Sequence, residues 1–382
     1  MACHSVQPFF RHRWGRRSLL PLLASLMAGL GVARGEDLAI PPELLGWDHE
    51  VSARVRGGYK DNVLLSSFTP EASAFVGAGL EWFVSRAFNE RWSLEIFGDA
   101  EERHYFSAEA VDDEQTAFAI VQLQRKWADT WSLKGACEYL YQNQVVDVSA
   151  TEPQFETMQV LGHALVLRPA VRWTPGKYWL ELQVPGQRQL YAFPLDDSWQ
   201  YGAKLQLGLP VDETTEYSLS YEFARNPFDT ERDRQPNSLP IPGSQRVMDQ
   251  HEGRFVWRQS WDEARRWQTT FRLAVKAALD NATGYYDYVR GQLFLQLRFR
   301  QRNWEASAEG RWGHYAYPVQ TVSADDPTLR RRAELVCGVH AERRLSRRFK
   351  AVFDYTFERT QGNRVGDDYS ANTVSGGLNF TF

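Results

Sequence analysis

The amino-acid sequence predicts an all-β fold, a transmembrane antiparallel up-and-down β-barrel of about 16 strands; counts of about 14 or 18 also fit. Three observations predict it. Apolar and polar residues alternate over long runs, the connections between runs alternate between short and long, and tryptophans gather beside the short connections. Aromatic residues make up 14% of the chain although its mean hydropathy is −0.49. Strict alternation of apolar and polar residues produces that combination.

Residues 1–35 are predicted to be a signal peptide and are set aside from the fold. Four arginines within 11–17 precede an apolar stretch over 18–32, and Ala33-Arg34-Gly35 places small residues at the cleavage site. Residues 36–47 are then a short periplasmic N-terminal segment, and residues 48–382 form the barrel. Past residue 35 no apolar stretch approaches the roughly 18 residues of a spanning helix.

The exported chain is acidic, because removal of residues 1–35 takes away five arginines and no carboxylate. The 39 remaining basic residues face 48 acidic ones, a net charge of about −9, which disfavours nucleic-acid binding. Of the cysteines only Cys137 and Cys337 remain. Two cysteines in so long an exported chain do not make a disulfide framework. Both fall on the apolar phase of their strands, so we expect them to be small residues that face the lipid.

The alternation is clearest in 267–277, 293–299 and 349–357, where apolar residues hold every second position. Such runs exceed the five or six residues of an ordinary strand, whereas a tilted strand of about 9–11 residues crosses a bilayer. The predicted strands cover 48–60, 71–87, 91–105, 113–128, 131–145, 158–174, 177–192, 198–211, 215–226, 247–261, 266–280, 285–301, 303–317, 330–344, 348–360 and 370–382.

Seven connections between these runs are tight, and the other eight are mostly longer, among them 146–157 and 227–246. Bacterial outer-membrane barrels have an even number of strands, short periplasmic turns and longer outer loops. With both termini in the periplasm, sixteen strands require seven turns and eight loops, so the count is self-consistent.

Tryptophans flank the tight turns, and tyrosines lie toward the opposite strand ends. Aromatic residues form girdles at both membrane interfaces of such barrels. We therefore expect a periplasmic girdle of Trp82, Trp92, Trp127, Trp131, Trp173, Trp179, Trp261, Trp267 and Trp304. The expected outer girdle is Tyr59, Tyr105, Tyr141, Tyr201, Tyr315 and Tyr355.

The final run, Val374 to Phe382, alternates and ends in phenylalanine. It resembles the closing strand of bacterial outer-membrane β-barrel proteins, by which those proteins are recognised for assembly. The resemblance covers this strand and implies a location in the bacterial outer membrane and an assembly-machinery partner that recognises Phe382. The segment Gly58 to Val63 resembles a first strand-to-loop pattern in barrels of this broad class and carries no specific function.

The polar phase of the strands is expected to face the lumen, and about 16–18 strands leave room for an aqueous channel. The expected pore-lining residues are Arg54, Arg56, Glu95, Asp99, Glu101, Arg254, Arg258, Arg272, Lys276, Arg290, Arg298, Arg300, Glu305, Glu309, Asp354 and Glu358.

Two interpretations of these charges stay open. In a ring of sixteen strands, Arg272 and Lys276 would face the acids of 95–101 across the lumen, and the transverse field would act on dipolar solutes. Alternatively the charges pair locally, for example Arg298 or Arg300 with Glu305 or Glu309, and simply brace the wall.

The loops offer further candidates. The proline-rich, charged connection 227–246 either folds inward and narrows the pore or covers the surface. Asp-Asp pairs at 112–113, 196–197, 325–326 and 367–368 suit Ca²⁺ or Mg²⁺, or are acidic turns exposed to water. His104 lies near Asp99, Glu101 and Asp112, so an acid–histidine pair is conceivable, but no nucleophile elbow accompanies it.

We expect a passive, porin-like channel for small hydrophilic solutes, with no catalytic residue, metal site or cofactor. Two alternatives remain: a surface-interaction or structural barrel that acts through its outer loops, and an export barrel for polysaccharide or protein. The expected partners are outer-membrane lipid, the assembly machinery and small polar solutes. Homo-oligomer formation is left open.

Overall fold

The computed structural model describes residues 46–152, 157–323 and 325–382. The predicted signal peptide and nearly all of segment 36–47 lie outside these residues. The described part contains no helix long and apolar enough to cross a membrane.

The described chain is built of antiparallel strands. Their bounds are β1 Asp48–Lys60, β2 Ser73–Ala87, β3 Trp92–Tyr105, β4 Asp113–Ala128, β5 Trp131–Asp147, β6 Thr157–Trp173, β7 Trp179–Gln183, β8 Gly186–Tyr191, β9 Ser198–Pro210, β10 Thr215–Pro227, β11 Val247–Ser260, β12 Trp267–Asp280, β13 Tyr288–Gln301, β14 Trp304–Thr321, β15 Leu329–Arg344, β16 Phe349–Gly362 and β17 Tyr369–Thr381. The last strand pairs with the first from Ser52↔Thr381 to Lys60↔Thr373. This pairing closes the sheet into a barrel.

Strands β7 and β8 together form one crossing, because both lie between β6 and β9. Pro185 separates them, and proline has no N–H to donate to a sheet ladder. The seventeen strands therefore make sixteen crossings, and the predicted barrel is confirmed. The predicted strand 177–192 is the one that the structure divides.

Alternation gives the barrel two different faces. On β13 the apolar phase points away from the barrel, and Leu295 exposes 50% of its surface. Exposed leucines, valines and aromatics recur on this phase of many strands, as a lipid-facing band requires. The opposite phase is concave, since ion pairs there join strands two apart, such as Arg54 of β1 with Asp99 of β3.

The aromatic girdles are only partly as predicted. Trp127, Trp261 and Trp267 are exposed beside short turns. Trp179 instead lies on the inner phase, with the Arg172 guanidinium 4.1 Å from its ring centre. The assignment of Tyr105 and Tyr315 to the outer girdle is wrong as well, because both side chains are buried. Both share the strand phase of the charged inner residues, and nearness to a strand end does not decide which way a side chain points.

Candidate functional site

The candidate site is the concave face of the barrel together with the loops at its long-loop end. The predicted pore-lining residues lie on the polar phase of β1, β3, β11 to β14 and β16. Glu358 lies four residues from Asp354 on β16, and therefore on the same phase of that strand. Glu95 lies on the phase of Asp99 on β3 and accepts a hydrogen bond from Gln122 Nε2 at 3.4 Å.

The acids on β3 are neutralised by an arginine from β1. Arg54 donates to Asp99 at 2.5 and 2.8 Å and to Glu101 at 2.9 Å. Its neighbour Arg56 forms an ion pair with Asp354 of β16 at 3.0 Å. This wall therefore presents paired charges to the lumen and not a row of free carboxylates.

The facing wall keeps a surplus of positive charge. Arg272 stacks with its guanidinium 4.6 Å from the ring centre of Phe294. Together with Arg254 and Arg311 it lines a cavity of about 270 Å³, in which Glu309 is the one lining carboxylate. Glu309 accepts a hydrogen bond from Gln296 at 2.9 Å.

Other predicted wall residues pair locally. Arg298 and Arg300 both donate to Glu305, as the local-pairing interpretation predicts. Arg258 forms an ion pair with Glu216 at 3.2 Å, and Glu252 pairs with Arg254 and, at 3.5 Å, with Arg290. Among the described residues no carboxylate forms an ion pair with Arg272 or Lys276. Local pairing thus accounts for most of the predicted basic residues, but not for Arg272 and Lys276.

A short segment crosses the mouth of the barrel. Residues 147–152, called the inward segment below, begin at the last residue of β5 but contact β14 and β15 on the opposite wall. Tyr317 donates to the Ala150 carbonyl at 2.9 Å, and Arg330 donates to the Ser149 carbonyl at 3.0 Å. Arg332 donates to the Asp147 carboxylate at 2.5 Å. Because β5 and β15 lie about half a turn apart in the ring, the segment has to span the lumen.

Arg246 holds the far end of the inward segment. It donates to both oxygens of Glu152 at 2.8 Å and to Glu231 at 2.9 Å. Its guanidinium also lies 3.7 Å from the ring centre of Tyr286. Burial tends to lower the pKa of Arg246, but the carboxylates of Glu152 and Glu231 raise the pKa by more than burial lowers it. The side chain therefore stays charged. The charge-assisted hydrogen bonds of Arg246 belong to the strong class, and removal of one partner from such a buried set is costly.

The connection 227–246 does not cross the barrel itself. Asp229 pairs with Arg188 at 2.6 Å, and the backbone N–H of Thr230 donates to Asp196 at 2.7 Å. On the other side Arg234 donates to the Tyr286 hydroxyl at 2.9 Å. These contacts hold the connection against the two neighbouring loops. Apart from its bond through Arg246 to the inward segment, the connection covers the mouth and does not reach the far wall.

Asp233 of this connection is unusual because it is buried and its Oδ1 has no hydrogen-bond partner. Burial, reinforced by the nearby carboxylate of Asp280, raises the pKa of Asp233 to about 6. The neighbouring charges of Arg246 and Glu231 act on it in opposite directions.

The histidine and aspartate candidates serve loop structure. His104 is 2.8 Å from Asp113 through Nδ1, while the predicted partners Asp99 and Glu101 contact Arg54. Asp367 pairs with the buried Arg330 at 2.7 Å. No group of three His, Cys, Asp or Glu suited to a metal occurs among the described residues. Cys137 and Cys337 are free thiols and form no disulfide bond with each other.

Several residues of the site escaped the sequence reasoning, namely Arg246, Arg330, Arg332 and Tyr317. Each lies at the loop end of a strand, where the alternation ends and gives no information about orientation. One usable signal was present, since the run 330–332 of three arginines and the tyrosines of 285–288 and 315–317 put charge and aromatic rings at one end of the barrel.

Comparisons with known proteins address the fold. Among similar solved structures, Acinetobacter baumannii OccAB4 is 8% identical over 88% of this chain and 98% of that chain, with a TM-score of 0.49. Pseudomonas aeruginosa OprD is 8% identical over 88% and 95%, with a TM-score of 0.45. An anion-selective porin from Comamonas acidovorans is 10% identical over 88% and 99%, with a TM-score of 0.44. The barrel fold of this chain is established by its own strand pairing.

No protein-family model matches the sequence. No curated protein matches it either.

Proposed function

We propose that the protein is a passive channel of the bacterial outer membrane for small hydrophilic solutes. The observation that carries the proposal is a closed barrel of sixteen crossings whose outer face is apolar and whose concave face is charged. A barrel of about 16–18 strands encloses a water-filled lumen, and an outer-membrane barrel has its short turns in the periplasm. The inward segment narrows this lumen near its outer mouth.

Conductance of the refolded barrel in a planar bilayer tests this function. We expect stable single-channel steps whose size rises with salt concentration. A preparation that is folded and inserted but electrically silent would contradict a passive channel.

The charges suggest a preference for anions. The acids of β3 are neutralised by Arg54, whereas Arg272 and Lys276 on the facing wall have no carboxylate partner among the described residues. Low-dielectric walls focus the potential of such charges into the lumen. We therefore favour a lumen with one net positive wall over the transverse field between unlike walls that the sequence suggests.

Replacing both charges, R272Q/K276Q, should shift the reversal potential in a salt gradient toward cations and lower the anion-to-cation permeability ratio several-fold. The paired arginine variant R298Q is the control and should change the ratio less, because its charge is offset by Glu305. Equal shifts in the two variants would show that the lack of a partner is irrelevant.

A further inference from the structure

The barrel carries a dense basic surface at its short-turn end. Two adjacent turns, one between β13 and β14 and one between β15 and β16, expose Arg302, Arg343, Arg347 and Arg348. These four arginines are called the basic turn patch. Register places Arg343 directly opposite Trp304, and Arg344 N donates to the Asn303 carbonyl at 2.9 Å, so the two turns lie side by side.

Nothing in the described residues neutralises the patch. The nearest acids on these strands are already used, since Glu305 accepts from Arg298 and Arg300 and Glu342 pairs with Lys350 at 2.7 Å. None of the four arginines forms an ion pair with a described residue. Like charges held close together repel one another, so the patch favours an anionic partner.

The patch is local to one side of the barrel. Of the other five short turns, four contain carboxylates, namely Glu90, Asp129, Asp212, Glu213, Asp262 and Glu263, and the turn between β6 and β7 carries the single basic residue Lys177. A general affinity of the periplasmic rim for anions would not produce this asymmetry. The positive charge marks one sector, over β13 to β16.

The surroundings of the patch are those of a membrane interface. Trp304, Leu345 and Phe349 expose 44%, 56% and 44% of their surfaces directly beside it. The Arg343 guanidinium lies 5.1 Å from the Trp304 ring centre, a distance at which a cation is attracted to the face of an aromatic ring. The turns are also fixed by backbone hydrogen bonds, including Leu345 N to the Phe349 carbonyl at 2.9 Å.

We propose that the basic turn patch binds the headgroups of anionic phospholipids in the periplasmic leaflet. Guanidinium groups match phosphate oxygens in a bidentate geometry, and basic residues next to a membrane attract anionic lipids. The exposed aromatic and aliphatic neighbours accommodate the upper acyl chains. This proposal rests on the proposed function in one respect, namely that the short turns face the periplasm. It does not require an open lumen.

The test is lipid retention by the full barrel, refolded into mixed micelles that contain equal amounts of phosphatidylglycerol and phosphatidylethanolamine. Native mass spectrometry then counts the lipids that remain bound. We expect a preference for phosphatidylglycerol that weakens between 50 and 500 mM salt, because such contacts are screened (the Debye length is about 10 Å at 0.1 M). Conductance of the same preparations is recorded separately, so that a silent channel and a failed lipid site are distinguishable.

The decisive variant is R302Q/R343Q/R347Q/R348Q. The matched control R86Q/R91Q/K126Q/K177Q removes four positive charges from other short turns. Each basic residue near an anionic surface is worth roughly a fivefold change in partitioning, so the patch variant should lose most of the preference and the control should keep it.

Three results would overturn the proposal. The first is a wild-type barrel without preference for phosphatidylglycerol, and the second is an equal loss in both variants. The third is binding of a soluble acidic polymer, such as polyglutamate, by the patch while the lipid preference is absent. That result would assign the patch to an acidic periplasmic protein.

Discussion

At the scale of single residues, Asp233 is the clearest case of a group whose surroundings change its chemistry. An aspartate in an unfolded chain has a pKa near 3.9, whereas burial raises that of Asp233 to about 6 in the folded loop. The folded state therefore binds this proton more tightly than the unfolded state. The stabilisation is complete below about pH 4 and is lost as the pH rises through about 6.

Hydrogen exchange tests this pH dependence. After correction for intrinsic exchange rates, amides of residues 228–246 should be roughly tenfold better protected at pH 5 than at pH 8. The variant D233N, which cannot ionise at this position, should remove most of the difference. The exposed carboxylate variant E263Q, at the other end of the barrel, serves as control. A pH response that persists in D233N would assign it to another group.

The sequence assigns residues to an inner phase by their alternation, because a period of two fixes the face of every residue once one is known. Arg54, Asp99 and Arg272 are examples. It fails for Tyr105 and Tyr315, which were assigned from their distance to strand ends and not from phase. It also cannot show that Arg54 reaches two acids while Lys276 reaches none, since such pairing depends on the distances between strands.

At the scale of elements, the inward segment is the feature that the sequence does not reveal. Its contacts join residues far apart in the chain, such as Arg246 with Glu152 and Arg332 with Asp147. No local pattern encodes them. The composition of 227–246, the longest connection and the richest in proline, left open whether this connection narrows the pore or covers the surface. The structure gives that position to residues 147–152.

The attachment of the inward segment can be broken at one side chain. In R246M the carboxylates of Glu152 and Glu231 would lose the guanidinium that both now contact, and loss of one partner of a buried ion pair costs about 3–5 kcal/mol. We expect the segment to leave the lumen and the single-channel conductance to rise. Current fluctuations should increase as well.

The control for this variant is R225Q. Arg225 pairs with Asp249 at 3.5 Å in an exposed position, where an ion pair contributes little to stability. The conductance of R225Q should therefore match that of the wild type. Unchanged conductance in R246M would mean that the inward segment is held without Arg246 or does not limit the current.

At the scale of the whole molecule, the barrel depends on the pairing of its ends. Nine residue pairs join β1 to β17, and these strands are more than 300 positions apart in sequence. In lipid every backbone N–H and C=O must be satisfied within the protein, so only a closed sheet can span the membrane. The sequence predicts this closure from the even number of strands and the terminal alternation, although it cannot give the register.

Truncation after residue 368 would remove β17 and leave β1 and β16 with unpaired edges, so the chain should not form a barrel that resists denaturation by detergent. Phe382 makes a smaller contribution to the fold. Its ring is 44% exposed and contacts Phe380 at 4.8 Å between ring centres. The backbone N–H of Phe382 bonds to Val51, and any residue except proline keeps that bond.

The variant F382A therefore separates folding from recognition by the assembly machinery. It should refold in detergent with a thermal midpoint close to that of the wild type, because closure through β1 and β17 is intact. In cells its amount in the outer membrane should fall several-fold if the terminal ring is what the assembly machinery recognises. The variant F380A, which loses two ring contacts in the cluster with Phe349 and Phe382, should be the less stable of the two in detergent. Normal cellular levels of F382A would refute the recognition role, whereas failure to refold would show that the ring is needed for closure itself.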